Sequence, residues 1–142
     1  MGADWVSVGG ADAILIAGVK AGATCYGTEV DCEDPCVLSK GYHGYPYTAK
    51  VRFYDPADIE ARLAGTSEPY EVLPYADWVP EELWEQECPA VGGIAFDEDS
   101  GRLYLAERLA GEWGEGIIHV FQITGPGTIF ADGFERGDTT AW

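Results

Sequence analysis

The chain has 142 residues, 46% of them apolar and 13% aromatic, which suits one domain with a real core and excludes a disordered segment. Against 25 acidic residues stand only 8 lysines and arginines, a formal net charge of −17, and that field repels phosphate backbones and anionic lipid. Nucleic acid and membrane surfaces are therefore not expected as partners. The longest apolar run, Ala13 to Val19, is far shorter than the ~20 residues of a membrane-spanning helix.

Nineteen glycines and eight prolines, spread between short β-rich runs, favour an all-β antiparallel fold. Trp5 to Val8 and Ala13 to Val19 read as two strands around the turn Gly9-Gly10-Ala11-Asp12. Thr48 to Tyr54 is a third strand. Asp55 to Gly65 reads as a short helix: Asp55 can cap it, Pro56 fits its first position and Gly65 can close it. Tyr70 to Tyr75 reads as an edge strand because Pro74 cannot donate to a ladder, and Pro80 to Glu85 as one helical turn.

The stretch Val91 to Ile123 holds three more strands. Gly93 to Phe96 and Arg102 to Ala106 flank the acidic turn Asp97-Glu98-Asp99-Ser100-Gly101, and Ile117 to Ile123 alternates strongly enough to bury one face. Laid side by side, ADAILIAGVKAG followed by AKVRFYD matches SGRLYLAERLAG followed by IIHVFQI. The chain reads as two divergent copies of a three-stranded unit, about 5–75 and 90–123, in one β domain of residues 1–124. Residues 125–142 read as a linker and C-terminal tail.

Cys25, Cys32, Cys36 and Cys88 are even in number and lack metal-ligand spacing, which implies two disulfides and an extracellular or periplasmic protein. Three connectivities are open. Met1 to Trp5 carry no signal-peptide pattern, so this reading requires an export signal outside the sequence.

The densest set of reactive-looking side chains is His43 with Tyr42, Tyr45 and Tyr47, and Lys40 close by. A histidine base and a tyrosine acid occur in some polysaccharide lyases and hydrolases. No nucleophile elbow and no carboxylate or metal motif accompanies them, so an imidazole held in an aromatic loop is the preferred reading. Asp31 and Asp34 in the cysteine loop, and Asp97 with Asp99 in the hairpin turn, supply oxygen ligands that could hold calcium. No other cofactor is expected. Trp5, Trp78, Trp84 and Trp113 could stack on sugars, Trp113 in its glycine-rich loop being the first choice for exposure.

Cys25-Tyr26-Gly27-Thr28 and Lys40-Gly41-Tyr42-His43-Gly44-Tyr45-Pro46-Tyr47, then Gly92 to Asp97 and Ile118 to Phe121, resemble the C-terminal region of exported bacterial β-propeller-like proteins of unassigned function. The tail, Asp132-Gly133-Phe134-Glu135-Arg136-Gly137-Asp138, is similar to the ending of many exported bacterial proteins. The resemblance implies two propeller-blade-like units of three or four strands, and Cys25 paired with Cys32 leaves Cys36 with Cys88. Closed propellers need ~4 to 8 blades, so two leave open edges, to be covered by more of a longer chain or by a second copy. The expected function is a non-catalytic structural or recognition module that assembles through strand edges. The alternative is a carbohydrate-binding or carbohydrate-active protein using the His43 loop.

Overall fold

A computed structural model describes residues 1–27, 33–37, 41–110 and 114–123, and the backbone of 134–135. The alternating runs form mostly antiparallel β structure, as expected. Strands β1 (Gly2–Val8) and β2 (Ala11–Ala21) make the first hairpin, and β3 (Cys25–Tyr26) with β4 (Tyr42–His43) a separate two-stranded ribbon. Then β5 (Tyr47–Tyr54) and β6 (Ala76–Trp78) complete a sheet of order β1-β2-β5-β6. In the second half β7 (Val91–Asp97), β8 (Arg102–Ala110), β9 (Glu115–Ile123) and β10 (Phe134–Glu135) lie in the order β10-β9-β8-β7. Each unit thus holds four strands, within the three or four expected, and neither sheet closes on itself.

Local chemistry accounts for most of these elements. Gly9 and Gly10, at φ 61° and 84°, supply the two positive dihedrals that a tight two-residue hairpin turn demands. The helix α1 (Pro56–Leu63) starts where Asp55 accepts a 2.8 Å bond from the Ala57 amide, with Pro56 in its first turn.

Two expectations fail. The segment Tyr70 to Tyr75 is not a strand: Pro69–Glu71 is a 3-10 turn, tightened by the Glu68 amide donating to Glu71 Oε2 at 2.7 Å. Edge pairing begins only at Tyr75, whose amide donates to Phe53 O, and continues as β6. Pro80 to Glu85 forms turns rather than a helical one, because the Trp84 and Glu85 amides are taken by the Glu107 carboxylate.

The period of two then builds the core. Ala13, Leu15 and Ala17 on β2 and Ala49, Val51 and Phe53 on β5 are buried, as are Leu103 and Leu105 on β8 and Phe121 and Ile123 on β9. These inward faces meet in one hydrophobic cluster, and Trp78 stands edge-on to Phe121 across it with ring centroids 4.7 Å apart. Register also corrects the side-by-side match of the two units. Leu15 lies opposite Phe53 and Leu103 opposite Phe121, so the first strand of the match must slide by one residue to bring equivalent faces together.

Between the sheets, β1 runs alongside β7 in the same direction. The Met1 nitrogen faces Val91 O, Gly2 faces Gly93 and Ile94, and Asp4 Oδ2 accepts the Phe96 amide at 2.6 Å. A Cβ on Gly2 would sit 2.8 Å from Gly93 Cα and Ile94 N, so the two backbones approach as only glycine permits. Gly2→Ala is expected to destabilise the fold by about 1–3 kcal/mol in urea denaturation, the range for overpacking a fitted contact. No change in the midpoint would mean that the strands do not touch there.

Candidate functional site

Between β2 and β5 the described residues gather around Asp34, one of the acids read from sequence as a calcium ligand. Its carboxylate is fully covered, and its Oδ1 accepts the Cys36 and Val37 amides at 2.9 and 3.2 Å. Oδ2 accepts the Tyr47 hydroxyl at 2.5 Å and the Gly44 amide at 3.3 Å. Burial works to raise this carboxyl group, but the bonds from Tyr47, Cys36, Gly44 and Val37 outweigh it and hold Asp34 below its ordinary 3.8. The same bond to Asp34, with burial, pushes the Tyr47 hydroxyl up.

His43 and Tyr47 therefore converge, as their spacing suggested, and Asp34 is what gathers them. His43 is only 4% exposed, its Nδ1 lies 3.7 Å from Asp34 Oδ2, and among the described residues neither ring nitrogen has a hydrogen-bond partner. Tyr42, its neighbour on β4, points the opposite way, 81% exposed and edge-on to the 64%-exposed Tyr26 at 5.2 Å. Tyr45 turns elsewhere again: its hydroxyl donates to Glu87 Oε1 at 3.2 Å, and the Glu87 charge, burial and that bond push it up. A general base must reach the proton that it removes. An enclosed imidazole beside a carboxylate already filled by four donors has the arrangement of a structural node.

The lobe is tied to the second unit. Cys36 is bonded to Cys88 with Cα atoms 5.3 Å apart, joining it to the segment before β7, and this is the pair that the resemblance implied. Cys25 is also disulfide-bonded, while Cys32 lies outside the described residues. A second buried carboxylate, Glu107 on β8, holds that segment from the other side. It accepts the Trp84 and Glu85 amides at 2.9 and 2.8 Å and is 2.8 Å from His119 Nε2 on β9. Nothing in the sequence reading singled out Glu107, although an acid in the inward series Leu103, Leu105, Glu107 was the available signal.

The remaining candidates stay apart. Asp97 accepts the Asp99 amide at 3.1 Å and the Ser100 hydroxyl at 2.6 Å, and the Ser100 bond leads the causes that hold it below the usual carboxylate range. Its oxygens cap their own turn. Asp31, Lys40 and Trp113 lie outside the described residues, among which no three histidine, cysteine or acidic side chains gather as a metal site. Trp78 belongs to the core, whereas Trp5 and Trp84 are exposed. No described helix is long and apolar enough to cross a membrane. Comparison with protein-family models, curated proteins and solved structures finds no match in any of the three.

Because Asp34 is held below 3.8, its ionised form contributes stability that is fully present above about pH 4 and is lost as pH falls through the folded-state value. Asp34→Asn should lower stability at neutral pH and flatten its decline below about pH 4, read by urea denaturation across that range. An acid limb as steep as that of the unaltered chain would remove Asp34 from this role.

Proposed function

We propose that this chain is a non-catalytic exported module for structure and recognition, built of two propeller-blade-like sheets that self-associate through the outward face of the second. The blade-like reading is supported by the parallel run of β1 beside β7, since neighbouring blades share the direction of their innermost strands and fan outward in chain order. Export is supported by the Cys36–Cys88 bond, which persists in an oxidising compartment. The enclosure of His43 favours a structural over a catalytic lobe.

The observation that carries self-association is an unpaired apolar sheet face. Register sets Ala95, Tyr104 and Val120 in one row and Ala106 beside Ile118 in the next, with Ile118 58% and Val120 37% exposed. Contiguous apolar surface of this kind marks an interaction site. The outer edges favour a face over strand addition, because β6 and β10 are three and two residues long and offer short templates. Arg102 on this face lies opposite Asp97, so the face carries both signs of charge and can pair with its own copy. An isologous pair, each copy presenting the same face, is the simplest closed solution.

Sedimentation across a dilution series is expected to show a dimer that dissociates at low concentration, with Ile118→Glu monomeric throughout and unchanged in unfolding midpoint. A monomer at every concentration would overturn this reading.

A further inference from the structure

The outward face of the first sheet has a different character. Three of the chain's eight lysines and arginines gather there: Lys20 on β2, and Lys50 and Arg52 on β5. Register places Gly18 directly opposite Lys50; the Met1 side chain lies against Gly18 and, with Ile16, Lys20, Lys50 and Arg52, borders a hollow of about 290 Å³. That volume lies at the small end of ligand pockets and fits one ring-sized molecule.

The polar groups of the hollow are only partly used. Lys50 Nζ is 2.7 Å from Asp77 Oδ2, and Arg52 Nε lies 3.6 Å from Asp77 Oδ1, too long for a hydrogen bond. Among the described residues the Arg52 guanidinium makes no hydrogen bond, and Lys20 has no carboxylate partner. The charges of Lys50, Arg52 and Lys20 all act on Asp77, so three cations surround one acid and leave an excess of two positive charges. A half-buried arginine with its donor fork unfilled suits a planar carboxylate taken in bidentate fashion. The apolar side chains of Met1 and Ile16 suit the face of a sugar ring.

We propose that this hollow binds a sugar acid, with Arg52 taking its carboxylate, Lys20 adding positive charge at the other end of the hollow and Lys50, held by Asp77, between them. The site lies on the opposite sheet from the self-association face and does not depend on it. It gives the module a ligand class, acidic polysaccharide, that the His43 lobe does not supply.

The test is calorimetric titration of the full chain with trigalacturonate, with neutral trigalactose and inorganic phosphate as the other two arms. Saturable binding of trigalacturonate is expected, at least tenfold tighter than either comparison ligand and weakening as salt rises. Arg52→Gln and Lys20→Gln should each cost tenfold or more while the far-ultraviolet dichroism and unfolding midpoint stay put. Absence of saturable binding would overturn the proposal, and so would equal affinity for phosphate or for the neutral sugar. Full retention of binding in both variants would overturn it as well.

Discussion

The arrangement rests on the approach of two backbones, β1 at Gly2 and β7 at Gly93 and Ile94. Two four-stranded sheets could face each other at many angles, but here their edge strands β1 and β7 meet without an intervening side chain and are pinned by the Asp4 carboxylate on the Phe96 amide. This fixes one end of the interface at backbone distance. Toward the far end Trp78 and Phe121 fill the space between the sheets. The wedge between these ends houses the single hydrophobic cluster.

What the sheets leave irregular is held by buried carboxylates rather than by apolar packing. Asp34 and Glu107 each accept two or more backbone amides, and loops lacking ladder partners thereby find acceptors. The Cys36–Cys88 bond joins the loops that the two acids organise. Of the residues that resemble catalytic groups in sequence, Asp34 and Tyr47 take part in holding these loops, and His43 is enclosed beside them.

Strands with clean alternation were legible from sequence, as was the helix with its Asp55 cap, because period and capping are local properties. The ribbon of β3 and β4 was not, since each strand has two residues and no period to read. Tyr70 to Tyr75 misled because a β-rich composition hid the Pro69 turn, and Pro80 to Glu85 because the acceptor of its amides, Glu107, is some twenty residues away. The His43 cluster was half legible: its tyrosines are neighbours in sequence, but only the fold puts Tyr42 outside and His43 inside. The cationic face was invisible, because Lys20, Lys50 and Arg52 come to one side of the sheet only through the register of β2 on β5.

Hydrogen exchange at the Phe96 amide tests the packing of the two sheets most directly. Phe96 lies on β7, an edge strand of its own sheet, and its amide donates to Asp4 Oδ2 of the other. Strong protection is expected in the unaltered chain, with loss at Phe96 in Asp4→Ala while the amides between β8 and β9 stay protected. Rapid exchange at Phe96 in the unaltered chain, or protection indifferent to the Asp4 substitution, would contradict the joining of β1 to β7.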